Sequence, residues 1–333
     1  MPPPSRPPAP FVADSPVTRG KIPDHLLRVS DLDPGVLPAL LDLADGMKRE
    51  PLGWLDSLRG ATVGCVFEKP STRTRVSLAT AAQRLGMAAI VLNRNELQLG
   101  HGETVADTAR VLSSYLDAVT VRTYEHSTVE EVAESSSVPV INALTNSHHP
   151  CQSLADLMAL REHFGTLAGL RAAFIGDGKS NTCNSFLSAC AASGMHLVIA
   201  SPPGYETDAD LLEEARQTAD QAGGSVSVTT EPEDAVREAQ ALYAEVWVAM
   251  DKHDQAAERT THLARYRVDD LLLSLAPQDA MVLHCLPAVR GQEITSDILD
   301  GPRCLAWQQA ANRLPTAQAV LHTLITTSQQ RAG

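Results

Sequence analysis

The loop at residues 68–75 carries a dense group of anion-binding side chains. Its sequence is Glu-Lys-Pro-Ser-Thr-Arg-Thr-Arg, between an apolar run at 61–67 and an Ala- and Leu-rich segment at 76–87 that is typical of a helix. The first backbone N–H groups of a helix have no partner within it, and a guanidinium can bind two oxygens of one anion. Three hydroxyls and two guanidiniums at this point predict a phosphate or oxyanion site rather than a capped helix with solvated arginines.

Four other residues have side chains suited to a reaction at a carbonyl, but each is a weak signal alone. Arg122 closes one apolar run and Cys285 follows another, while His149 and Gln152 open a long helical stretch. A His and a Gln in such a place can polarise a carbonyl or hold an amide. Each also has an ordinary structural explanation: Arg122 as a surface charge, Cys285 as a small core residue, His149 as a loop residue and Gln152 as part of a polar first turn.

A glycine pair at Gly176-Asp177-Gly178 resembles half of a dinucleotide-binding fingerprint. The third glycine of that fingerprint is missing, and no acidic residue follows at a strand end about 20 residues on. We therefore do not predict a NAD site.

The elements that must position these residues alternate between strand-like apolar runs and helical segments. Two such sets lie on either side of a long helical stretch at about 151–164, and a final helix is predicted at about 315–328. This alternation predicts an α/β protein with two doubly wound parallel-sheet domains joined by a long helix. In such sheets ligands bind at the carboxyl ends of the strands, where the loops above lie.

Composition limits the classes of partner. The chain has 333 residues, 44% of them hydrophobic, with 27 Lys and Arg against 40 Asp and Glu, a net charge of −13. This predicts a packed protein of two domains without a nucleic-acid partner, and no apolar run reaches the ~18 residues of a membrane span. The six cysteines lack a CxxC pair and the N-terminus is Pro-rich where a secretory leader would be apolar, so a cytoplasmic protein is expected.

Taken together, the motifs resemble the aspartate/ornithine carbamoyltransferase superfamily over residues 25–328, and its ornithine branch in particular. The matching segments are 71–75 (STRTR), 98–100 (QLG) with Glu103, 107–112 (DTARVL), 122–123 (RT), 149–152 (HPCQ) with 154–156 (LAD), 284–287 (HCLP) and 312–314 (NRL). The HCLP tetrapeptide and the form of the STRTR loop favour the ornithine branch.

This resemblance implies both an activity and a division of the chain. Residues 1–22 are expected to be a disordered Pro-rich tail. Residues 23–150, together with the C-terminal helix 312–330 that returns to them, are expected to form a carbamoyl phosphate-binding domain, and residues 151–311 an acceptor-binding domain. The implied reaction transfers the carbamoyl group of carbamoyl phosphate to a diamino acid, in the simplest case ornithine to citrulline plus phosphate. No metal or organic cofactor is expected, and the implied assembly is a homotrimer, or a multiple of trimers, with shared active sites.

The resemblance also assigns residues to roles. The implied catalytic residues are Arg122, His149, Cys285 and Arg313. The implied carbamoyl phosphate-binding residues are Ser71, Thr72, Arg73, Thr74, Gln98, Arg122, His149, Gln152, Cys285, Leu286 and Arg313, with Gln98 reaching into a neighbouring subunit's site. The implied acceptor-binding residues are Asn142, Glu245, Ala249, Met250 and Cys285. Arg75 is expected to support the loop.

One segment departs from the family pattern. The ornithine branch carries Asp-x-Trp-x-Ser-Met-Gly, whereas this chain has Glu245, Ala249 and Asp251 at the Asp, Ser and Gly positions. One interpretation is a tolerated change, with the Glu245 carboxylate still binding the ammonium of ornithine. Alternatively, its extra methylene suits a shorter acceptor such as 2,4-diaminobutyrate or 2,3-diaminopropionate, and Asp251 could bind a second ammonium.

Two other classes stay open at this point. His148, His149, Cys151, His284 and Cys285 could ligate a metal, although they fall in two separate loops and lack zinc-site spacing. A non-catalytic anion-binding homologue would retain the phosphate loop and tolerate the changed acceptor segment.

Overall fold

The computed structural model describes residues 20–97, 102–248 and 253–332. The chain divides into two compact units, the first made of Met1–Cys151 and Arg313–Gly333 and the second of Gln152–Asn312. Each contains one parallel sheet. The predicted fold class, an α/β protein with two doubly wound domains, is confirmed.

The sheet of the first unit has four parallel strands in the order β2-β1-β3-β4. The strands are β1 Thr62–Phe67, β2 Ala88–Asn93, β3 Ala118–Arg122 and β4 Val140–Leu144. The helices are α1 Val36–Arg49, α2 Arg73–Arg84, α3 Val105–Ser113, α4 His126–Ser135, the start of α5 Pro150–Phe164 and the later part of α12 Ala306–Ala332. Strand β3 is buried along its whole length, as expected of a parallel strand covered on both faces.

The register of this sheet brings three loops to one edge. Phe67 at the end of β1 pairs with Arg122 at the end of β3, and Arg122 pairs with Leu144 at the end of β4. Strand β1 is followed by β2 on one side of the sheet, and β3 is followed by β4 on the other side. The connections after β1 and β3 therefore run in opposite directions, and the crevice between them, beyond the carboxyl ends of these strands, is the expected ligand-binding position.

The second unit has five parallel strands in the order β7-β6-β5-β8-β9. The strands are β5 Arg171–Ile175, β6 His196–Ala200, β7 Ser225–Thr229, β8 Ala241–Ala244 and β9 Met281–His284. The helices are the rest of α5, α6 Asn181–Ala192, α7 Ala209–Ala222, α8 Pro232–Val236, α9 Ala256–Leu263, α10 Asp270–Ser274, α11 Ser296–Leu299 and the start of α12. Ile175, Ala244 and His284 are in register across β5, β8 and β9, so the loops after these strands share an edge.

Three predicted boundaries differ from the structure. The apolar run at 241–247 predicts a strand of that length, but β8 ends at Ala244, because the neighbouring strands end at Ile175 and His284 and offer no further pairing. Helix α2 begins at Arg73, three residues before the predicted start, which places the phosphate loop's arginines in its first turn. Helix α12 begins at Ala306 and continues through Pro315, where the sequence predicted its start. No helix in the described ranges is long and apolar enough to cross a membrane.

A buried carboxylate joins three elements of the second unit. Asp156 of α5 is fully buried, and its Oδ1 accepts hydrogen bonds from Gln152 Nε2 at 2.8 Å and Gln309 Nε2 at 2.7 Å. Its Oδ2 accepts one from the Tyr243 hydroxyl of β8 at 3.0 Å. Gln309 also accepts the backbone N–H of His284 at 2.8 Å. The carboxylate therefore fixes α5, α12 and the end of β9 together.

We expect Asp156→Ala to destabilise the protein far more than Tyr243→Phe does. The alanine variant leaves three buried donors without their acceptor, whereas the phenylalanine variant removes one donor and leaves two. An unsatisfied buried group costs about 1–3 kcal/mol, so the expected losses are about 3 kcal/mol or more for Asp156→Ala and about 1 kcal/mol for Tyr243→Phe. Thermal unfolding followed by circular dichroism measures both, and equal shifts in Tm would contradict a central role for Asp156.

Candidate active site

The predicted phosphate loop lies at the first turn of α2. The Ser71 hydroxyl accepts the Thr74 backbone N–H at 3.3 Å, and this turn contains no acidic residue. The positive end of the helix dipole is therefore not neutralised from within the helix. Thr72 is exposed and Ser71 and Arg73 are half-buried, so their donors can reach a ligand.

Arg313 of α12 reaches this same turn. Its Nη2 donates to Thr74 Oγ1 at 3.0 Å, and its Nη1 lies 3.4 Å from His149 Nε2. A guanidinium can only donate, so His149 Nε2 accepts and the imidazole proton resides on Nδ1. Residues far apart in the sequence thus meet at the start of α2, and all of them belong to the first unit.

Arg122 adds a second buried guanidinium at the end of β3. Its side chain is 8% exposed, and within the described part of the chain its Nε has no hydrogen-bond acceptor. Burial, followed by the charges of Arg313 and Arg73, lowers the pKa of Arg122 to about 10. It is therefore still charged at neutral pH, and its buried donor points to an anion as the missing partner.

His149 is uncharged in this surrounding. Its burial, reinforced by the charges of Arg313, Arg122 and Arg73, holds its pKa well below the usual range. The group formed by Arg73, Arg122, His149 and Arg313, here called the arginine cluster, thus combines three cations with one neutral imidazole. Such a group can bind a dianion and donate hydrogen bonds to a developing oxyanion.

Two nearby cations have other contacts. Arg75 donates to Asn93 Oδ1 of β2, and its guanidinium carbon lies 5.3 Å from the centroid of the Phe67 ring. The Lys69 ammonium lies 4.1 Å from the centroid of the Tyr124 ring. These contacts join the loop to neighbouring parts of the sheet.

Asn142, predicted to bind the acceptor's carboxylate, is fully buried in β4. Its Nδ2 donates to the carbonyl of Leu27 at 2.9 Å and is 3.4 Å from that of His148, while its Oδ1 has no partner among the described residues. The amide thus joins β4 to two loops of the first unit, and its contact with the acceptor stays a prediction.

The glycine pair of the second unit has a structural explanation. Asp177 forms a buried ion pair with Arg259, which also donates to the Trp247 carbonyl at 2.5 Å. A Cβ on Gly178 would lie 2.7 Å from the carbonyl oxygen of Tyr205, so close approach of two backbone segments requires glycine there. The acid and the glycine that resemble a dinucleotide fingerprint are thus used for internal packing.

The first turn of α6 contacts two residues predicted to bind the acceptor. The Ser180 hydroxyl accepts the Cys183 backbone N–H at 3.1 Å and donates to Glu245 Oε2. Thr182 Oγ1 lies 4.0 Å from Cys285 Sγ. Sequence reasoning missed Ser180, Thr182 and Arg259. A Ser just before a helical segment is an N-cap signal for Ser180, but the fingerprint comparison directed attention to the glycines.

The HCLP segment is held by a buried His–Glu pair. His284 Nδ1 accepts the Leu286 backbone N–H at 2.8 Å, so its proton is on Nε2, which lies 3.2 Å from Glu293 Oε1. Glu293 Oε1 also accepts the Val289 N–H at 2.6 Å. The pair therefore fixes the backbone that carries Cys285 and Leu286, and the contribution of Glu293 was not foreseen from the sequence.

The predicted site residues fall into three groups. In the first unit the structure places Ser71, Thr72, Arg73, Thr74, Arg122, Asn142, His149 and Arg313. In the second unit it places Gln152, Glu245, Cys285 and Leu286. Outside the described residues lie Gln98, Ala249, Met250 and also Asp251. Across residues 20–97, 102–248 and 253–332, no three His, Cys, Asp or Glu side chains are arranged to hold a metal ion.

Two family models match the chain. Residues 24–162 match the aspartate/ornithine carbamoyltransferase carbamoyl-P binding domain, and residues 168–324 match the Asp/Orn binding domain. The ornithine carbamoyltransferase of Methanoculleus marisnigri is 48% identical over 268 residues, which cover 80% of this chain and 85% of that protein. That of Bacillus subtilis is 44% identical over 90% of this chain and 93% of its own length.

Solved structures of ornithine carbamoyltransferases are also similar to this chain. The ornithine carbamoyltransferase from Pyrococcus furiosus superposes with a TM-score of 0.86 at 41% identity, over 89% of this chain and 95% of that chain. The enzyme from Thermus thermophilus superposes with a TM-score of 0.82 at 39% identity, over 92% of this chain and all of that one.

We expect Arg122→Gln to weaken the binding of inorganic phosphate by roughly 10- to 100-fold. The substitution removes one charge and its buried donors from the arginine cluster, and a hydrogen bond to a charged group is worth about 1.5–3 kcal/mol. The rise in Tm with added phosphate gives the affinity. Arg75→Gln is the matched control, because Arg75 contacts Asn93 and Phe67, and an equal loss in both variants would contradict the assignment.

Proposed function

Because the chain belongs to the aspartate/ornithine carbamoyltransferase family, we propose that it transfers the carbamoyl group of carbamoyl phosphate to the δ-amino group of ornithine. The products are citrulline and phosphate. The observation that carries this proposal is the arginine cluster, in which three buried or half-buried guanidiniums surround a neutral His149 at the first turn of α2.

The arginine cluster suits the phosphate end of the substrate. Hydroxyls at 71, 72 and 74, the first N–H groups of α2 and the Arg73 guanidinium provide donors for the phosphate oxygens. The phosphate gains negative charge as it leaves, and the nearby cations stabilise that charge more strongly than the ground state.

The carbonyl end needs donors for an oxyanion. Arg122 provides a buried N–H without an acceptor in the described residues, and His149 provides its Nδ1–H. The neutral amine of the acceptor attacks the carbonyl carbon, which forms the C–N bond and places a negative charge on the carbonyl oxygen. As the tetrahedral intermediate collapses, the C–O bond to phosphate breaks, phosphate leaves with the electron pair, and the nitrogen releases a proton. Each donor to such an oxyanion is worth about 3–4 kcal/mol.

The acceptor is assigned to the second unit. Glu245 would bind the α-ammonium of ornithine, and the Cys285 thiol and the Leu286 carbonyl would face the δ-amine. Gln152 would hold the carbamoyl group, and its own orientation is fixed by Asp156 at 2.8 Å. Ala249, Met250 and the carboxylate-binding role of Asn142 belong to this proposal as expectations.

A shorter acceptor is the second candidate, because Glu245 is one methylene longer than the Asp of the family pattern. Ornithine is favoured over 2,4-diaminobutyrate and 2,3-diaminopropionate because the relatives described above carry the name ornithine carbamoyltransferase. Both acceptors would undergo the same transfer, so only their relative rates separate the two candidates.

We expect ornithine to give the highest kcat/KM in a screen of acceptors with carbamoyl phosphate. The purified full chain is assayed for ureido product with ornithine, lysine, 2,4-diaminobutyrate and 2,3-diaminopropionate. Arg73→Ala should lower kcat/KM by about 100-fold or more without lowering Tm, because it removes a charged donor from the phosphate and leaves the fold intact.

The outcomes of this screen are distinct. A higher kcat/KM with a shorter acceptor would replace ornithine by that acceptor. No ureido product from any acceptor, together with intact phosphate binding, would support a non-catalytic anion-binding protein. An unchanged rate in Arg73→Ala would contradict the proposed site.

We further propose that the protein acts in the cytoplasm as a homotrimer whose active sites are completed by Gln98 of a neighbouring subunit. Arg73→Ala and Gln98→Ala should each be nearly inactive, because each removes one ligand of the phosphate site. After the two variants are dissociated, mixed and reassociated, random assortment should restore about a quarter of the sites.

Each variant treated alone provides the control for this mixing experiment. Light scattering gives the mass of the assembly, and differently tagged subunits show whether hybrids form. Hybrid trimers without recovered activity would contradict shared sites, and a stable monomer of full activity would contradict the assembly itself.

A further inference from the structure

The carboxylate of Glu245 is held by the first turn of α6. Ser180 caps this 12-residue helix, and its hydroxyl oxygen accepts the Cys183 backbone N–H at 3.1 Å. The same hydroxyl donates its one proton to Glu245 Oε2. Glu245 is 7% exposed, so the carboxylate has lost most of its contact with water. A donated hydrogen bond and the positive end of a helix dipole both stabilise a carboxylate in that position.

The same turn also contacts the Cys285 side of the unit. Thr182, two residues after Ser180, lies 4.0 Å from Cys285 Sγ through its hydroxyl. Glu245 and Cys285 directly follow Ala244 and His284, which are paired in the sheet. The first turn of α6 therefore contacts both residues, so it influences the separation between the carboxylate and the thiol.

We propose that Ser180 is a specificity-determining residue, which holds the Glu245 carboxylate against α6 and so sets the acceptor length that fits between Glu245 and Cys285. This inference rests on the proposed function, in which Glu245 binds the α-ammonium. A Glu in place of the family's Asp would otherwise extend one methylene further and favour an acceptor one methylene shorter. By drawing the carboxylate back to the helix, Ser180 offsets that methylene and keeps the site suited to ornithine.

The size of the effect follows from the difference between the two acceptors. Ornithine and 2,4-diaminobutyrate differ by one methylene, and enzymes discriminate one methylene by roughly 10- to 200-fold in kcat/KM. Losing the Ser180 contact should therefore lower the ratio of kcat/KM for ornithine to that for 2,4-diaminobutyrate by about 10-fold or more. The ratio is measured on one preparation, so it does not depend on the fraction of active protein.

Three substitutions separate the contact with Glu245 from the capping of α6. Ser180→Ala removes both. Ser180→Asp can still cap the helix, but its carboxylate cannot donate to Glu245 and repels it. Ser180→Thr keeps a hydroxyl that can do both. We expect the ornithine ratio to fall in the Ala and Asp variants and to be retained in the Thr variant.

A double substitution tests whether Ser180 acts through the extra methylene. In Ser180→Ala combined with Glu245→Asp the side chain is shorter, so the ratio should return towards the wild-type value. A ratio that is unchanged in both Ser180→Ala and Ser180→Asp would overturn the proposal, as would an equal fall in Ser180→Thr. If Ser180→Ala does not fold, the Asp and Thr variants decide the question.

The wild-type protein distinguishes failure of this inference from failure of the proposed function. Absence of turnover with carbamoyl phosphate and any diamino acid would overturn the proposed function and the role of Ser180 with it. Ornithine-specific turnover whose specificity is insensitive to residue 180 would overturn the role of Ser180 alone.

Discussion

The repulsion among three guanidiniums at the first turn of α2 is the constraint on which the first unit depends. Arg122 and Arg313 are buried and Arg73 is half-buried. Burial lowers the pKa of both His149 and Arg122, and the charges of the neighbouring guanidiniums lower it further. Like charges at such positions destabilise the ligand-free fold, so their presence needs a compensating role. A dianion bound there, as proposed above, would offset the repulsion and accept from the Arg122 Nε, which lacks an acceptor in the described residues.

In the second unit the buried charges described above are mainly carboxylates, and they contact hydrogen-bond donors. Three of its buried carboxylates are met by donors of the same unit: Asp177 by Arg259, Asp156 by two amides and a hydroxyl, and Glu245 by Ser180. The Ser180 hydroxyl is a neutral donor, so its hydrogen bond stabilises the Glu245 carboxylate without pairing it with a positive charge. The first unit thus groups buried cations around His149, whereas the second unit keeps buried carboxylates in contact with donors of its own.

Sequence patterns predicted much of this arrangement because it is local. Apolar runs mark the strands, and the donor-rich loop after the first of them predicts an anion site from the sequence alone. The role of Arg122, by contrast, was implied only by the family resemblance. Contacts that depend on packing were not predictable: Glu293 behind His284 and Ser180 beside Glu245 are joined only by the fold. Helix ends were misjudged where a rule has exceptions, as at Pro315, which lies within α12 although a proline inside a helix provides no N–H for the helix hydrogen bonds.

The net charge of −13 does not oppose the binding of an anion by this chain. At physiological ionic strength the Debye length is about 8 Å, so exposed acids farther away than this are largely screened from the arginine cluster. Buried charges are screened far less, and their interactions are strengthened by the low dielectric of the interior. The potential at the arginine cluster therefore depends on the charged groups close to it, and distant acids of the surface contribute little. The same holds for the buried carboxylate of Glu245, whose hydroxyl partner Ser180 is in direct contact with it.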